Sequence, residues 1–356
     1  MLVLDRYIIR SIGASVVVVV MALLTLLALF LFINEQGWVG VGRYGNLQAL
    51  QYVALNLPGQ LFQFLPIGVL IGSLLALGAL ARHSEITVMR AAGVSIARIG
   101  LSVFFAGLLA VPVALLARDY LAPPMMRQAR IHKAIERNAD FSLAGRGGAW
   151  VRDGNVVLRA ARQSADGAYG GIAVFEIGPD NRLAAVGRAA QATERADQNW
   201  ELRDYRWSAF AADHVGSGVD AAHRLETRVS PAFFGTIVAD PAELSLAELW
   251  RTAGYLQANG QDSRRLRFMF WSVVARLTAL PFAALLALPL LFGPLRMKET
   301  GARATLGLVL GLAWFILSRM VESGTLALGL DPLLLAWAPT ALLLAAIGLL
   351  FARLRR

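Results

Sequence analysis

The residues SIGASVVVVVMALLTLLALFLFI, numbered 11–33, form an apolar run without a single Asp, Glu, Lys or Arg. A helix that crosses the hydrocarbon core of a bilayer needs about 20 such residues. The run is too long for the apolar part of a signal peptide, and no small-residue cleavage site follows it. It therefore predicts a membrane span that is retained in the protein.

The rest of the chain repeats this pattern. Of its 356 residues 57% are apolar and the mean hydropathy is +0.56, which is typical of membrane proteins. Further charge-free runs cover residues 44–81, 99–117, 277–295, 304–318 and 332–352. The run 44–81 exceeds one span, and because Pro58 lies early in it we expect the span to start near Leu57, with the preceding part at the interface. The sequence thus predicts six transmembrane helices.

A polar region lies between the third and fourth predicted spans. Residues 118–267 contain 38 of the 58 charged residues, and no part of the region is apolar enough to span. After a charged helical stalk, which Pro123 and Pro124 are expected to interrupt, the period changes to that of strands, with a hairpin turn at Asp153-Gly154. Strands are predicted over 150–158, 171–177, 183–193 and 200–210 and around 224–229.

Short strands with tight turns predict an all-β sandwich or jelly-roll-like domain. We expect residues 1–122 to hold helices 1–3, residues 123–262 the β domain with its connectors, and residues 263–356 helices 4–6. Within the β domain, residues 171–177 are apolar on both faces. They are expected either to line a groove or to form a central strand.

Basic residues in the short loops predict the orientation. If the N-terminus is cytoplasmic, only Arg43 lies in the opposite short loops. The cytoplasmic side then holds Arg6, Arg10, Arg82, Arg90, Arg98, Arg296, Lys298, Arg303, Arg353, Arg355 and Arg356. Both termini are therefore expected inside and the β domain outside. The net charge of +10 follows from this asymmetry, and no nucleic-acid partner is implied.

The chemistry of an enzyme is not apparent in the sequence. The four histidines are isolated, there is no cysteine, and neither a P-loop nor a Gly-x-Ser-x-Gly motif occurs. We expect no catalytic residue, no metal site and no cofactor bound by this chain.

The polar segment 81–93 separates two predicted spans and has the features of a short helix. Ser84 suits an N-cap, Glu85 suits the positive end of the helix dipole, and Gly93 suits the helix end. Ile86, Met89 and Gly93 share one face, on which the helix can lie against another surface. The simpler interpretation is a connector whose acid stabilises its own helix. The other is a contact through which a separate motor moves the spans.

Several segments resemble one known family. RHSEITVMRAAG (82–93) is similar to its coupling-helix segment, WVRDGN (150–155) to its first hairpin, and NGQD (259–262) and FGPLR (292–296) to the borders of its fourth span. Together with six spans and an inserted β domain, they resemble the LptF/LptG permeases of the bacterial lipopolysaccharide exporter, and the G-type more closely than the F-type.

The resemblance implies an inner-membrane permease with an outer, periplasmic jelly roll. It implies an F-type permease as partner in a heterodimer, an LptB-type ATPase dimer that uses ATP and Mg²⁺, LptC, and LptA reached through the β domain. Lipopolysaccharide is the implied cargo. Glu85 matches the acid that docks into the ATPase, and we expect Ser84, Ile86, Met89 and Arg90 to share that contact.

The lipid path gives weaker signals. Gly307 and Gly311 permit close helix packing, and the resemblance implies a gate at the first and fifth spans. Arg319 falls in the outer half of the fifth span with Glu322 at i+3, as either a structural ion pair or a headgroup site. Arg276 is expected to extend to the interface. The family's basic residues after the first span are missing, and only Arg43 stands there, so Arg43 and Arg319 are candidate phosphate contacts.

Three alternatives remain open at the level of sequence. The chain could be the F-type paralogue of the same transporter. It could be a membrane-bound enzyme that modifies an envelope lipid, although the clustered acids or histidines that this requires are not found. It could also be a scaffold without a transport role, in which case the helix at 81–93 would bind no ATPase.

Overall fold

The computed structural model describes residues 3–137, 149–163, 169–194, 200–211, 213–225, 241–292, 300–328 and 330–354, together with residues 227, 229 and 234. The chain forms two compact units. One, the membrane unit, consists of residues 1–37, 53–126 and 264–356, and the other of residues 38–52 and 127–263.

Nine α-helices lie in the described part of the chain. They are α1 (Val3–Glu35), α2 (Asn46–Arg82), α3 (Glu85–Ala91), α4 (Ile96–Leu115), α5 (Ala122–Glu136), α6 (Leu246–Ala258), α7 (Arg264–Phe292), α8 (Thr300–Leu328) and α9 (Pro332–Leu354). A π-helical segment, Leu116–Leu121, joins α4 to α5. Within the described residues, six helical stretches are long and apolar enough to cross a membrane, in the predicted order.

Helices run through three of the prolines considered in the sequence analysis. Helix α2 is unbroken from Asn46 to Arg82 and includes Pro58 and Pro66, and the start of the membrane span near Leu57, within this helix, stays a prediction. The predicted interruption at Pro123-Pro124 is wrong, because the stalk is helical through both residues and a π-helical segment comes just before them. Proline is tolerated in membrane helices because neighbouring helices and local π adjustments satisfy the freed backbone groups.

Glycines bring α1 and α8 close to α2. A Cβ added to Gly72 would lie 2.6 Å from the Val16 Cα atom, and one added to Gly68 would lie 2.4 Å from a Val20 methyl group. On α8, Gly307 and Gly311 lie against Ile71 and Ile67 of α2. The glycines of the fifth span therefore contact the second span. Residues 67–72 of α2 pack against both neighbours.

The predicted β domain is confirmed. Its strands are β1 (Ala149–Asp153), β2 (Val156–Ala160), β3 (Arg162–Gln163), β4 (Tyr169–Ile177), β5 (Leu183–Glu194), β6 (Trp200–Phe210) and β7 (Val215–Leu225). All pair antiparallel in the order β1-β2-β4-β5-β6-β7, with β3 paired to β4. Among the strands described, none crosses to a second sheet as a jelly roll requires. β4 is an interior strand, which agrees with the simpler of its two interpretations.

The last predicted strand is misplaced. The structure has β7 at Val215–Leu225, whereas the sequence suggested a strand around 224–229. Gly216 and Gly218 hide the strand pattern, but Gly218 leaves room for the Trp207 ring on β6, as Gly187 does for Tyr205. The domain core centres on Trp200, whose ring lies 5.1 Å from Tyr169 and whose indole donates to the Val229 carbonyl.

Candidate functional site

Helix α3 is short and well defined at its C-terminal end. The Gly93 N–H donates to Arg90 O and the Val94 N–H to Met89 O, with Gly93 at φ +89°, which is a Schellman motif. The N-terminal end differs from the prediction. Ser84 precedes the helix but lies at φ +61° and makes no side-chain cap. Left-handed geometry turns its hydroxyl away from the free N–H groups that a cap must reach.

The two faces of α3 have different surroundings. Ile86 is buried at 3% exposure and Met89 is half-buried, so the predicted face packs largely within the chain itself. Ser84, Thr87, Val88 and Arg90 are exposed, and Val88 is 66% exposed. An exposed apolar side chain beside an arginine is a surface that another protein can bind. Ile86 cannot contribute to it in this conformation, and Val88, which the sequence analysis did not single out, can.

Glu85 is half-buried at the start of α3 and is tied to the first span. The Tyr7 hydroxyl donates to its Oε2 atom over 2.8 Å. The carboxylate also lies where the helix dipole favours negative charge. Tyr7 is 78 residues away in sequence and 47% exposed, so no local pattern predicts this contact.

A second link joins α1 to α4 at the same end of the membrane unit. Asp5 is buried, its Oδ2 accepts from Arg98 Nη2 over 2.7 Å, and its Oδ1 accepts from Ser102 Oγ over 2.6 Å. Both carboxylate oxygens thus have donors. The sequence analysis missed this group, and the only signal for it is one acid among the basic residues that precede the first apolar run.

A group of charges lies near the other end of the membrane unit. Arg319 Nη1 is 3.1 Å from Glu322 Oε2, and its other nitrogen donates to Gln63 Oε1. Arg276 stacks on Phe62, with its Cζ atom 5.4 Å from the ring centre. Arg276 was expected merely to extend to the interface, but the structure brings it beside the residues that hold Arg319.

Arg43 belongs to the other compact unit. Its backbone N–H donates to Glu136 O at the end of α5 over 2.7 Å. Two more basic side chains, one on α5 and one just after it, lie beside the loop that contains Arg43. Lys133 Nζ lies 4.5 Å from the Tyr52 ring centre, and Arg137 Cζ lies 3.8 Å from that of Trp38. The loop after the first span therefore has basic neighbours that are about 100 residues away in sequence.

No group of His, Cys, Asp or Glu that could hold a metal ion occurs among the described residues. His214 and His223 each contact one aspartate, Asp213 and Asp220. The FGPLR segment, apart from Phe292, lies outside the described residues.

Comparison with known proteins identifies relatives over nearly the whole chain. The family model described as lipopolysaccharide export system permease LptF/LptG matches residues 6–353. The lipopolysaccharide export system permease protein LptG of Escherichia coli (strain K12) is 29% identical over 341 residues, 95% of each chain. The protein of the same name from Haemophilus influenzae is 28% identical over 353 residues, 99% of each chain.

Proposed function

Since the chain belongs to the LptF/LptG family of lipopolysaccharide export permeases, we propose that it is the G-type permease of an ATP-driven exporter that extracts lipopolysaccharide from the outer leaflet of the inner membrane. Both relatives described above are named LptG, and each is matched over nearly its full length. This supports the G-type over the F-type.

Family membership makes the chain a transporter subunit rather than an enzyme, which sets aside the envelope-lipid enzyme and the scaffold. Its six apolar helices are those of a multi-pass inner-membrane protein. We assign both termini to the cytoplasm and residues 123–262, the β domain with its connectors, to the periplasm. The excess of arginine in the short loops on one side supports this orientation.

The ATPase is proposed to bind α3. Glu85 stands at the start of this helix, accepts a hydrogen bond from Tyr7 of the first span, and adjoins the exposed residues Thr87, Val88 and Arg90. This contact carries the proposal, because a force applied to α3 reaches the first span through it. Ser84 and Arg90 remain proposed contacts, while Ile86 and Met89 hold the helix against the membrane unit.

The partners follow from the family. We propose an F-type permease as the second half of the transmembrane pair and an LptB-type ATPase dimer beneath it, which supplies ATP and Mg²⁺ chemistry. LptC and LptA are the proposed acceptors beyond the β domain. The proposed gate is formed by the first and fifth spans. Their apolar cores are the least buried of the six, at 6% and 17%, and thus leave surface for a partner or lipid.

The lipid contacts are proposed to lie near the outer leaflet. Arg43, Arg319 and Glu322 remain candidates, and Gly307 and Gly311 set how closely the fifth span approaches the second. Lys133 and Arg137 join them, since both hold positive charge on aromatic faces beside the loop after the first span. They can supply the charge that the sequence of this loop lacks.

The coupling proposal is tested by reversing the charge of Glu85. The chain is co-expressed with the F-type permease and the ATPase, and the complex is assayed for ATP hydrolysis and lipopolysaccharide release. Glu85→Lys should leave the chain inserted and reduce export by about tenfold or more, since it removes a charged contact. Asp213→Lys, at an exposed acid of the β domain, is the matched control. Unchanged ATPase binding and export in Glu85→Lys would disprove the coupling role.

A further inference from the structure

Two arginines of different spans are held side by side by consecutive residues of α2. Phe62 packs under the guanidinium of Arg276 on α7, and Gln63 accepts from Arg319 on α8. Phe62 is itself buried at 4% exposure. The side chain of Arg319 is 46% exposed and that of Arg276 is half-buried, so both can be reached from outside the protein.

The charges around Arg276 do not balance. Those that act on it are Glu322, which is paired with Arg319, and the arginines Arg319 and Arg118. Among the described residues, the one acid that acts on Arg276 is therefore already paired with a second arginine. An arginine without its own carboxylate is unfavourable beside hydrocarbon, and an additional anion offsets this.

Hydrogen-bond donors near Arg276 also lack acceptors. A guanidinium carries five N–H donors, yet the described residues offer that of Arg276 an aromatic face and no hydrogen-bond acceptor. Arg276 lines a cavity between α7, α8 and α9 together with Trp314. The buried indole Nε1 of Trp314 has no partner among the described residues either. Donors from two helices therefore border one cavity.

The depth of the group matches that of lipid phosphates. Arg276 precedes the charge-free run 277–295, and 16 residues separate it from Phe292 at the end of α7. At about 1.5 Å per residue this is roughly 24 Å, most of a hydrocarbon core about 30 Å thick. In the proposed orientation, the guanidinium lies where the core of the outer leaflet meets the headgroups.

From these observations we propose that Arg276 and Arg319 form a binding site for the phosphate of an anionic lipid. Two lipids present this group, a resident phospholipid and the phosphorylated cargo. The assignment rests on the proposed function only for the second of these. Guanidinium groups suit the ligand because their fork of donors matches phosphate oxygens.

The test measures lipid binding by the purified full chain without partners, so that it is independent of ATPase coupling. The chain is placed in nanodiscs of phosphatidylcholine alone, with added phosphatidylglycerol, or with added lipopolysaccharide, and the thermal unfolding midpoint and the lipids retained in native mass spectrometry are recorded. Arg276→Gln with Arg319→Gln should weaken retention of the anionic lipid by about tenfold or more.

Arg265→Gln is the matched control, since Arg265 is exposed on the first turn of the same helix. Arg276→Lys keeps the positive charge and should retain part of the lipid binding. It therefore separates a specific loss of binding from a general loss of folding. Loss with phosphatidylglycerol identifies a resident phospholipid, and loss with lipopolysaccharide alone identifies the cargo. The proposal is overturned if the double variant retains both lipids as the unmodified chain does, or if Arg265→Gln loses them equally.

Discussion

The membrane unit buries charge in two contrasting ways. At the end that carries α3, one oxygen of the Asp5 carboxylate accepts a hydrogen bond from Arg98 and the other accepts one from Ser102. At the opposite end, Glu322 is paired with Arg319, while Arg276 has an aromatic ring but no acceptor among the described residues. A buried charge with all its partners fixes the helices that supply them. A charge without them favours a ligand. The first group therefore suits transmission of force and the second suits recognition.

The largest expected effect is that of removing the Asp5 carboxylate. Asp5→Ala removes the carboxylate that accepts from Arg98 and leaves the Ser102 hydroxyl only the Arg98 carbonyl, 3.4 Å away, so the free energy of unfolding should fall by about 2–3 kcal/mol. Chemical or thermal unfolding in detergent measures this. Asp5→Asn, which can still accept from Ser102, should lose less. Equal stability of the unmodified protein and both variants would show that the contacts of Asp5 with Arg98 and Ser102 do not stabilise the packing of α1 against α4.

The opposite sign is expected at Arg276. Arg276→Leu removes a charge that the protein does not neutralise, so in zwitterionic detergent it should raise the free energy of unfolding by about 1–2 kcal/mol. The same unfolding assay applies. Arg265→Leu serves as control and should change little. A loss of stability in Arg276→Leu comparable to that in Asp5→Ala would remove the contrast between the two ends.

The β domain shows a third way to bury a polar group, which is to keep it neutral. Burial, and then the charges of Glu176 and Asp220, raise the pKa of Tyr205 to about 12. In the unfolded chain a tyrosine loses its proton near pH 10. The stability due to the neutral hydroxyl is thus present below pH 10 and is lost as the pH rises toward 12, by about 1–2 kcal/mol. Thermal unfolding against pH should show this fall, and Tyr205→Phe should lack it.

The smallest change in stability is expected for Tyr7→Phe. The hydroxyl is largely exposed, so the unfolding midpoint should not move, but Glu85 loses its donor and export should fall a few-fold at constant ATP hydrolysis. Tyr120→Phe, at a 72% exposed tyrosine, is the control. Normal export by Tyr7→Phe would show that the Tyr7–Glu85 contact does not transmit force from α3 to the first span.

Sequence reasoning succeeded where one variable dominates. Charge-free runs identified all six spans, because lipid excludes charge over a fixed thickness. Period-two patterns with tight turns located β1, β2, β4, β5 and β6 because the domain buries one face of its sheet. Sequence reasoning failed where contacts with neighbouring helices or strands determine the local structure. Pro58, Pro123 and Pro124 do not end helices, and the glycines that accommodate aromatic rings concealed β7.

The candidate site was only partly accessible from the sequence. Glu85 and Gly93 were found because helix ends have local signals. Glu322 was found beside Arg319 because positions i and i+3 share one face of a helix. Tyr7 and Gln63, which contact Glu85 and Arg319, were not found, since they are 78 and 256 residues away. Lys133 and Arg137 were missed as neighbours of the loop after the first span for the same reason. Contacts of this kind depend on packing angles that no short stretch of sequence encodes.

The middle of α2 has a mechanical consequence for the exporter. Val16 and Val20 of the first span lie against Gly72 and Gly68 of α2, and Ile67 and Ile71 of α2 lie against Gly311 and Gly307 of the fifth span. Side chains of one helix thus fill the space left by glycines of the other on both sides of α2. Either half of the proposed gate must therefore move together with α2 or separate side chains that interlock with it.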